Sequence, residues 1–305
     1  MSRSTISTFQ LFQMFPDAES ARIYFEGQRW PEGPVCPACG ETKRIYAKGG
    51  GLYRCNADLS VFSVRTGTIF ERSPIPLNKW LYAMYLLVTA RKGISSLQLA
   101  KQIGVTQKTA WFMLQRLREA CGNDPSKLSG IVEIDETYIG GREDAKHLSK
   151  RLSVGGGAGG KTPVMAARER GGRMKAAVVP NASTRTILRF MHRHIEYGST
   201  VHTDEAGGYR RVGGLYYTHE AINHGAGEYR RGNVTTNGIE SVFAVMKRGI
   251  VGVYHHVTPK HLHRYVGEFA FRLNEGDVKH HTLDRLASMF AASIGQRLTY
   301  KELIA

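Results

Sequence analysis

Gly130-Ile-Val-Glu-Ile-Asp-Glu-Thr-Tyr-Ile-Gly140 is a strand that carries acids among β-branched residues. Its alternation puts Glu133 and Asp135 on one face and Glu136 on the other. Further β-patterned runs follow. Val164–Arg168 and Met174–Val179, joined through Gly171-Gly172, read as a hairpin. Ser199–Asp204 is a fourth strand ending in an acid, and Tyr217–Ile222 a short fifth. Helical runs are interleaved with them: Thr186–His194, and Thr235-Thr-Asn-Gly-Ile-Glu-Ser-Val-Phe-Ala-Val-Met-Lys-Arg248, which opens on capping residues. Strands alternating with helices predict an α/β domain from Ser129 onward.

Composition narrows the classes of function. The chain has 305 residues, 42% hydrophobic and 22% charged, which is globular and excludes disordered or collagen-like classes. Its longest apolar run, Trp80 to Ala90, falls well short of the ~20 residues of a membrane span, so no membrane role is expected. The N-terminal MSRSTISTFQLFQMF has neither an apolar signal core nor a cleavage site, which predicts a cytoplasmic protein. Lys and Arg number 42 against 26 Asp and Glu, a net +16. Such a chain attracts polyanions, nucleic acid foremost.

Acids in the middle of one strand (Asp135), at the end of another (Asp204) and on an adjoining helix (Glu240) fit a two-metal site. Carboxylates can hold a pair of Mg²⁺ (or Mn²⁺) ions ~3.5–4 Å apart, which activate one oxygen and stabilise another as it leaves. Lys247 lies seven residues after Glu240, nearly aligned with it two turns along the helix. With Arg248 it is a candidate phosphate contact.

Cys36-Pro-Ala-Cys39 and Cys55-Asn-Ala-Asp58 form two knuckles separated by a stretch with Gly49–Gly51 at a hairpin turn. The spacing is that of a structural zinc ribbon, with Asp58 where a fourth cysteine would stand. A Cys₃Asp site for Zn²⁺ is chemically sound, although softer ligands hold zinc more tightly. Four cysteines in all, the last being Cys121, are too few for a disulfide scaffold.

Between ribbon and α/β region, an apolar helix runs from Pro76 to about Thr89. Ser95 or Ser96 then caps a short helix, Gly104 makes a tight turn, and Thr106 caps a second helix from Gln107 to about Ala120. This is a helix-turn-helix, whose second helix would present Gln107, Lys108 and Trp111 to base edges. Further on, six of the twelve histidines fall between His255 and His281, among Lys260, Arg264 and Arg272. Their spacing fits no zinc motif, and the three cations are expected to contact phosphates. A glycine-rich stretch, Ser153–Gly160, reads as the tip of a mobile loop over Gly141–Lys161.

GIVEIDETYIGG, TVHTDEAGGY, TTNGIESVFAVMKRG and VGVYHHVTPKHLHRYVGEFAFRLN resemble the insertion-sequence transposases of the ISXO-like DDE type. The ribbon and the segment after it resemble the same family, so the resemblance covers roughly residues 15–290. It implies an RNase H-like catalytic domain with Asp135, Asp204 and Glu240 as the carboxylate triad; Asn237 belongs to the same motif as Glu240. Asp58 and Glu205 depart from the family pattern.

The expected organisation is a zinc ribbon at 1–73, a helix-turn-helix at 74–127, an RNase H-like domain at 128–282 and a helical tail at 283–305. The expected activity is that of a bacterial transposase. It would bind its element's terminal repeats as a homo-oligomer, at least a dimer, cleave a strand with Mg²⁺ and join the 3′-OH to target DNA. An inactive, domesticated DNA-binding relative is the alternative, and an RNA-cleaving or junction-cleaving nuclease fits the ribbon and helix-turn-helix less well.

Overall fold

Contacts along the chain gather into two units, residues 1–123 with 275–305, and residues 124–274. The computed structural model describes residues 5–122, 125–141, 147–151, 159–209, 212, 214, 216–275 and 280–305. Most of the tip of the expected mobile loop, residues 153–158, therefore lies outside the described residues.

The first unit opens with two capped helices. Ser7 caps α1 (Thr8–Met14) and Asp17 caps α2 (Ala18–Arg29), each in a reciprocal capping box. The ribbon follows as an antiparallel sheet of β1 (Ile45–Gly49), β2 (Leu52–Cys55) and β3 (Val61–Phe62). Its turn needs positive φ, +58° at Gly50 and +75° at Gly51, a region closed to most L-residues.

Helix α3 (Leu77–Thr89) is buried on nearly every side, as its unbroken apolar run requires. Helices α4 (Ser96–Ile103) and α5 (Gln107–Cys121) have the caps the sequence predicts. Ser95 accepts from the Gln98 N–H, Thr106 accepts from the Thr109 N–H, and Gly104 turns the chain at φ +62°.

In the second unit, β4 (Ile131–Ile139), β5 (Thr162–Glu169), β6 (Met174–Val178), β7 (Thr200–Asp204) and β8 (Thr218–Ile222) form one sheet in the order β6-β5-β4-β7-β8. Strands β6, β5 and β4 are antiparallel to one another, while β7 joins β4, and β8 joins β7, in parallel. Helix α6 (Thr184–His194) makes the crossover from β6 to β7. Helix α7 (Asn237–Gly249) continues into one π-helical turn, and α8 (Pro259–Glu275) follows.

This is the mixed sheet flanked by helices expected of an RNase H-like fold. Alternation along β4 separates two cores. Val132 and Ile134 face Ile187, Phe190 and Met191 of α6. Ile139, with Val164 and Ala166 of β5, packs against Ile239, Val242 and Phe243 of α7.

Helices α9 (Thr282–Ser293) and α10 (Tyr300–Ile304) complete the first unit. Phe290 of α9 stacks within 4.7 Å of Phe25 and 6.1 Å of Phe70, whose ring lies 5.0 Å from Trp80. Ribbon flank, α3 and α9 thus share one aromatic core. The separate segments expected at 1–73, 74–127 and 283–305 fold together, because a short ribbon has too few apolar residues to bury a core alone.

Candidate active site: converging carboxylates

The register of two parallel strands sets the site. Opposite one another lie Ile131 and Thr200, Val132 and Val201, Glu133 and His202. The pairing ends there, and two residues further along each strand stand Asp135 and Asp204, on the face that already carries Glu133 and His202. The charge of Asp204 acts on the Asp135 carboxyl, so the two acids are neighbours beyond the end of the ladder. Glu240 comes to the same face from the first turn of α7.

Their proximity is visible in the electrostatics. Burial pushes the Asp135 carboxyl up from 3.8 to about 7; its acceptance of the Glu136 N–H at 2.7 Å opposes the rise, and the charges of Asp204, Glu136 and Glu240 add to it. Glu136, on the opposite face, is also raised by burial, with relief from the Tyr209 hydroxyl that donates to it at 2.6 Å. An array of hard, half-buried oxygens that repel one another is the donor set a divalent cation relieves, and it suits Mg²⁺ or Mn²⁺.

Helix α7 is anchored by a contact that sequence reasoning missed. Glu133 is 4% exposed and accepts the Ile239 N–H at 3.0 Å, so a carboxylate meets the positive end of the helix. A Cβ on Gly238 would come within 2.6 Å of Glu133 Oε2, so only glycine permits this approach. Arg168 donates to the Gly238 carbonyl at 3.0 Å, and Arg170 lies 3.4 Å from Glu133 and 3.2 Å from His202 Nδ1. One turn of helix is therefore fixed against the sheet from both sides of its backbone, its N–H by Glu133 of β4 and its C=O by Arg168 of β5. The available signal was the glycine beside the acid in Asn237-Gly-Ile-Glu240.

Glu240 itself is half-exposed. Its Oε1 accepts the Thr236 hydroxyl at 2.9 Å and lies 3.5 Å from His224 Nε2. Asp204 accepts the Ala206 N–H at 3.0 Å, and Glu205 turns aside to accept the Gly225 N–H at 3.1 Å. Asn237 is exposed at the start of α7, where its N–H donates to the Thr235 hydroxyl.

In the ribbon, one ligand atom from each of Cys36, Cys39, Cys55 and Asp58 lies within 4.8 Å of the others. Asp58 is held by the Ser60 hydroxyl at 2.7 Å and the Ser60 N–H at 2.9 Å, which keep its carboxyl well below the usual range. Three thiols and an ionised carboxylate at this spacing fit a tetrahedral zinc.

The remaining candidates divide. In the helix-turn-helix, Gln107 donates to Ser96 at 2.9 Å, Lys108 Nζ lies 4.8 Å above the Tyr300 ring, and Trp111 is half-buried. Lys247, Arg248 and Lys260 are exposed, while Arg264 is half-buried, 3.4 Å from His261 Nδ1. Arg272 corrects the expectation. It is 3% exposed, paired with the buried Glu268 and placed over the Phe269 ring, so it holds α8 together and does not face a phosphate.

A sheet of this order bearing acids on β4, β7 and α7, with a ribbon before it, is the architecture of a transposase. The chain belongs to the ISXO2-like transposase family: that family's transposase domain matches residues 127–274 and its transposase zinc-ribbon domain residues 16–57. An uncharacterised protein in transposable element ISH50 of Halobacterium salinarum is 32% identical over 237 residues, 72% of this chain and 79% of that protein. Solved structures match loosely. A chain of the simian T-cell lymphotropic virus intasome in complex with PP2A regulatory subunit B56 gamma is 11% identical at TM-score 0.29, covering 63% of this chain and 65% of that one. A chain of a pre-cleavage Mos1 transpososome is 13% identical at TM-score 0.25, covering 72% and 80%. Superpositions this loose carry no weight. Among the described residues, no helix is long and apolar enough to cross a membrane.

Proposed function

We propose that the chain is an active DNA transposase, which binds the terminal repeats of its element and performs divalent-metal-dependent strand cleavage and 3′-OH strand transfer. The observation that carries this reading is the meeting of Asp135, Asp204 and Glu240 on one sheet face, with Asp135 raised by burial and by the other acids. Mg²⁺ would be held by these three carboxylates, and when bound it supplies the positive charge that activates an attacking oxygen and stabilises a departing one.

The chain's own residues do the positioning. The β4–β7 register fixes two acids relative to each other, and Glu133 with Gly238 fixes the helix that brings the third. Exposed Lys247, Arg248 and Lys260, with Arg264 beside them in sequence, supply phosphate contacts near the same domain's helices. Gln107, Lys108 and Trp111 at the start of α5 read the repeat, and Cys36, Cys39, Cys55 and Asp58 hold one Zn²⁺ that keeps the ribbon folded. Acting on two element ends requires at least a dimer, working in the nucleoid.

The test is incubation of the purified protein with duplexes of its element's flanking ends, with Mg²⁺ or with EDTA. Metal-dependent cleavage leaving a 3′-OH is expected. Tight end binding without cleavage in any divalent metal would instead make it a domesticated DNA-binding protein.

A further inference from the structure

Beside the N-terminal half of α5, within the first unit, lies a cleft of about 290 Å³. Its walls are aromatic. Phe112 and Tyr300 meet edge to face at 5.5 Å, and Trp80 lines the floor with its indole N–H tied to the Ser73 hydroxyl at 3.1 Å. Cations surround these rings. Lys108 Nζ stands 4.8 Å from the Tyr300 centroid, and the Arg116 guanidinium 4.8 Å from that of Phe112. Arg116 is immobilised by donating to the Leu298 carbonyl at 3.1 Å and the Glu71 carbonyl at 3.0 Å. Arg72 projects its side chain into solvent at the rim from a backbone at φ +55°, a left-handed conformation that costs a non-glycine residue energy.

The acids near this rim offset it only in part. Glu302 is engaged by the N–H and hydroxyl of Thr299, and one oxygen of Glu71 accepts the Gly67 N–H. The other oxygen of Glu71 pairs with Arg72 at 3.8 Å, a long, solvent-exposed ion pair of small worth that leaves the guanidinium open to a phosphate.

Rigid π-faces inside and cations outside select a ligand that is flat and apolar at one end and anionic at the other. A nucleotide has that chemistry: its base stacks on aromatic rings without regard to sequence, and its phosphate pairs with Lys or Arg. An acidic peptide would leave the aromatic walls unused, and an apolar one would leave the rim unpaired. We propose that this cleft receives one unpaired nucleotide of the bound DNA, its base against Tyr300 and Phe112 and its phosphate at Lys108 and Arg72. The inference rests on the DNA-binding reading above and adds to it a preference for DNA with a base out of the stack. A base already unpaired spares the protein the cost of extruding it.

The experiment uses the full chain and two short duplexes of one sequence. In one, a single 2-aminopurine deoxynucleotide is left unpaired as a bulge; the other is fully paired. Wild-type protein should bind the bulged duplex about tenfold more tightly and quench its 2-aminopurine emission, as stacking on an aromatic wall requires. Tyr300→Ala should abolish both the preference and the quenching, and Tyr300→Phe should retain both. Arg72→Ala, at an exposed side chain, should lower bulge affinity about threefold with the quenching retained. Equal binding of the two duplexes with unchanged emission would overturn the cleft while the DNA-binding reading stood. Binding to neither would overturn both.

Discussion

Replacing Asp135 with asparagine should stabilise the metal-free protein, although it removes a proposed metal ligand. The Asp135 carboxyl titrates at about 7 in the folded chain against 3.8 when unperturbed, because burial and the neighbouring acids disfavour its charge. Between those two values the folded state holds a proton that the unfolded state has released. Stability therefore falls as pH rises from about 4 and levels off above about 7.

The gap corresponds to a ceiling of ~4 kcal/mol. An amide keeps the shape and can still accept the Glu136 N–H, but it never ionises. Neighbouring acids absorb part of the relief by changing their own protonation, so about half the ceiling, ~2 kcal/mol, is expected at pH 8. For a domain of ~150 residues that is a Tm increase of ~4–8 °C. Thermal unfolding of wild type and Asp135→Asn in EDTA from pH 4 to 9 should show curves that coincide near pH 4 and separate by pH 8. Excess Mg²⁺ should raise the wild type selectively, since a ligand bound only to the folded state stabilises it. A variant no more stable than wild type at pH 8, or a gap independent of pH, would refute the claim that a buried, repelled carboxylate is strained here.

Other perturbations separate positioning from chemistry. Gly238→Ala places a methyl within 2.6 Å of Glu133 Oε2 and should displace the first turn of α7, reducing cleavage at least tenfold while end binding in a gel-shift assay is unchanged. Metal analysis after dialysis should find about one zinc per chain, lost in Cys39→Ser; Asp58→Cys should slow zinc release to a chelator, because a thiolate suits the ion better than an exposed carboxylate. Lys247→Ala should weaken DNA binding regardless of sequence and lower the slope of log affinity against log salt by ~0.9, read by fluorescence anisotropy.

The acids on β4 and β7 were legible in the sequence because a strand's side chains alternate strictly, so parity alone puts Asp135 and Asp204 on usable faces. The helix-turn-helix was legible from its caps: Ser95, Gly104 and Thr106 each perform the backbone role their chemistry suits. What escaped notice depended on tertiary contact. Glu133 read as a bystander one pleat from Asp135, yet its partner is a backbone N–H more than a hundred residues away. Arg272 read as a phosphate contact because it lies in a basic stretch, although Glu268 four residues earlier was a visible helical partner. Tyr300, at the far end of the chain, gave no hint that it would lie under Lys108. The C-terminal helices read as a tail because nothing local marks Phe290 as the centre of an aromatic core built from Phe25 and Phe70.

The central claim is that Asp135, Asp204 and Glu240 act as one metal-binding site on DNA. Single-turnover cleavage of an element-end duplex in Mg²⁺ tests it, with Asp135→Asn, Asp204→Asn, Glu240→Gln and Asn237→Ala assayed beside wild type at matched DNA occupancy. The account predicts cleavage in wild type and Asn237→Ala, and losses of at least a thousandfold in each of the three carboxylate variants, because an amide keeps the shape but not the charge that holds the cation. Normal cutting by Glu240→Gln together with a dead Asn237→Ala would contradict it.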